Sequence, residues 1–197
     1  MLAPRAYMRV MTRPSSAGDL SASDADLVRA SLEGDRRATE VLFRRHAGAA
    51  HRLALRVIGN HEDARDVVQD SFVVAFTKLA TLRKPATFRS WVFGIVVRTC
   101  RHVLRRRALR QRLGLLRGKP VDLDALMGDG APADACMEVQ TLFVTLGGWP
   151  VDERIAFCLQ RIAGMSVEEI VDATGASRAT VNRRLKRARA RLGDRRV

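Results

Sequence analysis

Residues 166 to 192, SVEEIVDATGASRATVNRRLKRARARL, constrain this chain more than any other stretch. They predict a short helix, a tight turn and a second helix loaded with arginine. Ser166 is an N-cap, and Glu169 three residues on completes a capping box. Val167, Ile170 and Val171 form the apolar side of the first helix. Gly175 can take the left-handed conformation that ends it. Ser177 caps the second helix. There Val181, Leu185, Ala188 and Leu192 recur at spacings of four, three and four, which makes one apolar stripe. The other faces carry Arg178, Asn182, Arg183, Arg184, Lys186, Arg187, Arg189 and Arg191, with no acid among them. A merely solvated helix interleaves Glu with Lys or Arg to gain i,i+4 pairs. Without acids the like charges repel unless a polyanion screens them. Short helix, glycine turn and basic helix make the helix-turn-helix pattern, whose second helix enters the major groove of DNA.

The rest of the composition agrees. The formal net charge is +14, which points to nucleic acid or an anionic membrane surface. Aromatic residues are only 5% against 47% hydrophobic overall, which favours small helical modules over a large sheet. No apolar run is long enough to span a bilayer, so no membrane insertion is expected. The N-terminus lacks the continuous apolar stretch of a secretory signal. Cys100, Cys136 and Cys158 have no CxxC or Cys-His spacing. They are expected to be reduced, buried thiols of a cytoplasmic protein, with a redox role for Cys136 as a minor alternative. Neither a metal site nor a cofactor is expected. No Ser-His-Asp, Cys-His or phosphate-loop arrangement is present, so no enzymatic activity is expected either.

Along the chain, residues 1–22 mix Pro, Ser, Gly and Arg without periodicity and are expected to be a disordered arm. Residues 23–112 predict a four-helix module. Ser23 caps a helix over 24–32, and a second runs over 36–58 until Gly59-Asn60 stops it. His46 and His51 lie five apart, off the i,i+4 spacing of a helical metal pair, and are expected at the surface or boundary. A third helix, 61–79, buries Ala64, Val67, Val68, Phe72, Ala75 and Phe76. It displays Glu62, Asp63, Asp66, Gln69 and Asp70. Dipole complementarity accounts for the first two acids but less well for Asp66 and Asp70, which suggests a basic protein partner.

The segment TLRKPATFRS, 81–90, predicts a loop broken by Pro85, and a fourth helix follows to about residue 111. From Ser71 to Val121 there is no Asp or Glu. This second cationic site combines Arg83, Lys84, Thr87, Phe88 and Arg89 with Trp91, the mixture of cations and rings that binds single-stranded nucleic acid. Core packing is the alternative for Phe88, Trp91 and Phe93. Residues 113–135, rich in Gly and Pro and later in Asp, predict a flexible linker. Residues 136–197 predict a second module: a helix to Leu146, another over 151–163 burying Ile155, Ala156, Leu159 and Ile162, and then the helix-turn-helix. The expected fold is all-α, two small helical modules on a flexible tether.

Two DNA-type surfaces on two tethered modules resemble an extracytoplasmic-function (ECF) sigma factor of bacterial RNA polymerase. NHEDARDVVQDSFVVAF is similar to that family's polymerase-binding helix. FRSWVFGIVVRTCRHVLRRR is similar to the helix after its promoter-melting loop, and GMSVEEIVDATGASRATVNRRLKRARARL to its helix-turn-helix. The resemblance implies that Asp66, Gln69 and Asp70 grip core RNA polymerase. It implies that Arg83, Lys84, Thr87, Phe88, Arg89 and Trp91 capture a flipped base of the minus-ten element, while Arg98, Arg101 and Arg105 contact phosphates. Arg178, Thr180, Asn182, Arg183, Lys186 and Arg187 would read the minus-thirty-five element of promoter DNA. An anti-sigma factor is a further implied partner. The alternative from the residues alone is a helix-turn-helix operator-binding regulator that acts without polymerase.

Overall fold

The computed structural model describes residues 22–114 and 146–193, and every regular element among them is helical. In the first module α1 spans Asp24–Leu32, α2 Arg36–Ile58, α3 His61–Thr77 and α4 Phe88–Arg112; in the second α5 spans Val151–Arg161, α6 Val167–Thr174 and α7 Arg178–Gly193. The arm and most of the linker, as well as the helix expected before Leu146, lie outside the described residues.

The cap expected at Ser23 forms, its side chain accepting from the Asp26 N–H. Asp35 and Asn60 cap the next two helices in the same way, accepting from the N–H groups of Arg37 and Asp63. Each oxygen takes a donor that the first helical turn would otherwise leave unpaired. Gly59 ends α2 in the left-handed conformation, with φ 75°. Helix α3 stops at Thr77, two residues short of the expected end, and the chain then turns through 3-10 segments at Leu79–Thr81 and Pro85–Thr87. Pro85 has no N–H to continue an α-helix and suits the first position of that second turn.

In the first module α2 packs on α1, α3 and α4, and α3 packs on α4. Phe43 and Phe72 meet edge to face with ring centres 4.8 Å apart. His46 departs from its expected surface or boundary position. It is 6% exposed, and its Nε2 lies 2.8 Å from Asp24 Oδ2. Arg45 donates to the other oxygen of Asp24 at 2.6 Å. Burial works to raise the Asp24 carboxyl, but the hydrogen bonds and charges of His46 and Arg45 outweigh it and hold the group below its usual range. This joint fastens α1 to α2.

In the second module α7 packs on α5 and α6, with Val181, Leu185 and Ala188 buried. Trp149 and Phe157 meet edge to face at 5.3 Å. Helix α5 buries more than the expected stripe: Glu153, Arg154, Phe157 and Cys158 are also inside. The cause is a packing the sequence did not announce. Helix α6 lies against α4, and α5 against α2, so that one apolar core runs through both modules.

Candidate nucleic-acid and polymerase interfaces

The acidic surface stands on α3. Residues 64, 67, 68, 71, 72 and 75 of that helix turn inward and are buried. The 3.6-residue period therefore sends Asp66 and Asp70 outward, where both are exposed, with Gln69 half-buried beside them. Among the described residues neither carboxylate makes an ion pair, on a chain whose formal net charge is +14. Two uncompensated acids and an amide on a rigid helix are suited to a basic partner surface.

The second surface begins in the 3-10 turn before α4. Arg83 and Lys84 are exposed. The Thr87 hydroxyl donates to the Lys84 carbonyl at 2.8 Å, and Ser90 donates to the Thr87 carbonyl at 3.1 Å, which fixes the turn. Phe88 is fully buried, its ring 5.6 Å from that of His46 and 6.2 Å from that of Trp91. It takes the core-packing alternative. Trp91 is half-buried and opens onto a groove of about 480 Å³ between α3 and α4. Apolar Val74 and Ile95 line this groove together with basic Lys78 and Arg98. An apolar wall beside cations is the combination that takes a base and its phosphate. Arg98 and Arg105 are exposed. Arg89 and Arg101 instead reach the second module: Arg89 is 3.7 Å from Glu169, and Arg101 is 2.8 Å from Asp152.

The third surface is α7. Ser166 and Glu169 form the reciprocal capping box of α6, Gly175 turns the chain at φ 67°, and the Thr180 N–H donates to Ser177 Oγ at 3.2 Å. The arginines of α7 are not as unscreened as the sequence suggested. Asp152 pairs with Arg184, and Glu153 pairs with Arg191 at 2.9 Å and with Arg187 at 3.8 Å. Glu168 pairs with Arg178 at 3.0 Å. Nothing local in the sequence marks Asp152 and Glu153 as partners of these arginines. They sit in the first turn of α5, where dipole complementarity already accounts for acids. Thr180 is half-buried. Asn182, Arg183 and Lys186 are exposed, and among the described residues neither Arg183 nor Lys186 has a carboxylate partner. The free edge of the helix is therefore narrower than its composition, and directional.

Cys100 and Cys158 are buried free thiols, as expected; Cys136 lies outside the described residues. Burial pushes each of the two up to about 12. Among the described residues no group of His, Cys, Asp and Glu could hold a metal ion, and no helix is long and apolar enough to cross a membrane.

A fold of two helical modules, one with an acidic helix and a basic aromatic groove and the other with a helix-turn-helix, defines a DNA-binding transcription initiation factor. Residues 42–110 match the Sigma-70 region 2 family and residues 148–192 match Sigma-70, region 4. The chain is similar to the ECF RNA polymerase sigma factor SigM of Mycobacterium tuberculosis, 34% identical over 86% of this chain and 83% of that protein. It is also similar to the RNA polymerase sigma factor CnrH of Cupriavidus metallidurans, 34% identical over 88% of this chain and 95% of that one. The structure of CnrH in complex with the cytosolic domain of CnrY superposes with a TM-score of 0.68, covering 88% of this chain and 96% of that chain at 28% identity. A second structure, RpoE of Bartonella quintana in complex with the anti-sigma factor NepR, shares the fold at a TM-score of 0.64, 22% identity and coverage of 78% and 92%. The chain belongs to the ECF sigma factors of RNA polymerase. It binds core RNA polymerase and directs promoter recognition and transcription initiation.

Proposed function

We propose how that work is divided along the chain. Residues 23–112 grip the polymerase and the minus-ten element, residues 113–135 connect, and residues 136–197 read the minus-thirty-five element. Asp66, Gln69 and Asp70 hold the core enzyme. The observation that carries this is the pair of exposed, unpaired carboxylates on a strongly cationic molecule. Arg183 and Lys186, with Asn182, read base edges in the major groove, where each good bidentate contact is worth about 1–3 kcal/mol of discrimination. Arg178, Thr180 and Arg187 flank that edge and position the helix on phosphates.

At the minus-ten element Arg83, Lys84 and Thr87 lead the displaced strand to the groove beside Trp91. Arg98 and Arg105, with Arg89 and Arg101 once freed, neutralise its backbone. Trapping an extruded base in the groove shifts the duplex toward the open form. No covalent step is involved, and the protein works in the cytoplasm, where its polymerase is. The RpoE structure is of a complex with an anti-sigma factor, and this chain too is held by such a partner.

Replacing both Asp66 and Asp70 by Lys tests the assignment. The variant remains helical by circular dichroism and no longer co-purifies with core polymerase; co-purification at the wild-type level refutes it.

A further inference from the structure

We infer that His51 of α2 and His61 of α3 form a proton-sensitive joint, and that acid loosens the start of α3 and with it the acidic grip for the polymerase. The inference rests on the reading above of Asp66, Gln69 and Asp70 as that grip.

The two rings meet edge to face across the α2–α3 turn, with centres 4.9 Å apart and planes at 67°. Both residues are half-buried. His61 is the first residue of α3, so the rings close the joint where Gly59 reverses the chain and Asn60 caps the helix. Neutral imidazoles pack this way as other aromatic rings do, the positive edge of one against the negative face of the other. A proton on His51 puts a full charge into this half-buried contact. It also puts that charge beside the N-terminus of α3, the positive end of the helix dipole.

The surroundings hold no anion to receive that charge. Burial first, and then the positive charges of His61, Arg52 and Arg65, push the His51 pKa below that of an ordinary histidine. Arg52 follows His51 on α2, and Arg65 stands one turn beyond His61 on α3. The α3 acids Glu62 and Asp63 lie about 100° and about 200° round the helix from His61. Among the described residues the one histidine paired with a carboxylate is His46. Of the other elements packed on α2, α1 offers Asp24, which His46 and Arg45 already hold. Helix α4 offers another cation, Arg107, which donates to the Ile58 carbonyl at 3.4 Å. Helix α5 offers the thiol of Cys158, near Arg56.

The fold thus holds His51 neutral. Its contribution to stability is present above the unfolded histidine value of about 6.5 and is lost as pH falls from there through the lower folded value. That window lies well above the one in which Asp24 titrates. Asp66, Gln69 and Asp70 stand within about three turns of His61 on the same helix. Arg65 and Gln69, four residues apart, put the joint and the grip side by side on its surface. Opening the first turns of α3 therefore unsettles the platform that carries the two carboxylates. The chain grips core polymerase more weakly as pH falls through that window.

The test uses the full chain and compares wild type with His51→Gln, His61→Gln and His51→Lys between about pH 7.5 and about pH 5.5, either side of the ordinary histidine value. Hydrogen exchange of the peptide covering residues 59–66, corrected for the intrinsic rate, reads the joint, and binding to core polymerase reads the grip. Acid speeds exchange in wild type severalfold. It also weakens core binding severalfold relative to His51→Gln, a comparison that cancels the polymerase's own titration. His51→Gln loses the exchange response, and His51→Lys exchanges fast already at the higher pH. A wild-type acid response kept by His51→Gln overturns the joint; should that variant lose its helicity, His61→Gln decides in its place. Faster exchange without weaker core binding overturns the link to the grip. Asp66→Lys combined with Asp70→Lys separates that result from failure of the grip reading. If this double variant binds core polymerase as wild type does, the grip assignment falls and exchange alone decides the joint.

Discussion

Phe88 and Trp91 lie three residues apart at the start of α4, and the structure gives them opposite work. Phe88 is 0% exposed and sits between the rings of His46 and Trp91. Phe88→Ala leaves a ring-sized cavity and is expected to destabilise the protein by about 3–5 kcal/mol. At about 2–4 °C per kcal/mol for a chain of this size, the melting temperature falls by about 6–20 °C. Phe88→Leu keeps most of the volume and costs about 1–2 kcal/mol. Trp91 is half-buried at the groove, so Trp91→Ala loses less stability but removes a stacking face worth about 1–3 kcal/mol per base. That is about 5- to 150-fold in the affinity of a holoenzyme for the opened strand. Thermal melts give the first ordering. Permanganate reactivity of promoter thymines, at a temperature where every variant is folded, gives the second. If Phe88→Leu impairs opening as much as Trp91→Ala does, the ring of Phe88 reaches DNA and the core assignment is refuted.

Two further outcomes are expected. Arg183→Ala and Lys186→Ala should each weaken binding to a matched minus-thirty-five sequence by about 1–3 kcal/mol while changing the folding stability by no more than about 0.5 kcal/mol; equal losses on scrambled DNA would make them phosphate contacts only. The carboxyl of Asp24 is depressed in the folded state, so its contribution is present above the unfolded value of about 3.9 and is lost as pH falls through the lower folded value. Urea titrations of wild type and Asp24→Asn should therefore differ most at neutral pH and converge in that acid window; a constant gap down to the lowest pH would show that the joint with Arg45 and His46 is not electrostatic.

Much of the fold could be read from local chemistry. The bounds of α1 and α2 follow from Ser23, Asp35 and Gly59, whose capping and left-handed preferences act within a few residues. The capping box at Ser166 and the turn at Gly175 are of the same kind, and so the helix-turn-helix is legible in the sequence. The outward acids of α3 follow from periodicity alone.

The remainder was decided by contacts between residues far apart in the chain. His46 and His51 look alike in sequence, yet only His46 is buried against Asp24, because α1 folds back over that part of α2. The arginines of α7 look uniformly free, yet the acids at the start of α5 pair with Arg184 and Arg191 and leave Arg183 and Lys186 without a carboxylate among the described residues. Above all, the run from Val92 to Val97 records that α4 is apolar all round but not what covers it. Hydrophobic burial is non-directional. The approach of two backbones at Gly94 and Ala173, and the placing of Asp152 between two arginines, select the second module as that cover. Capping and periodicity are properties of neighbours along the chain, whereas charge neutralisation and the choice of packing partner exist only once distant segments meet.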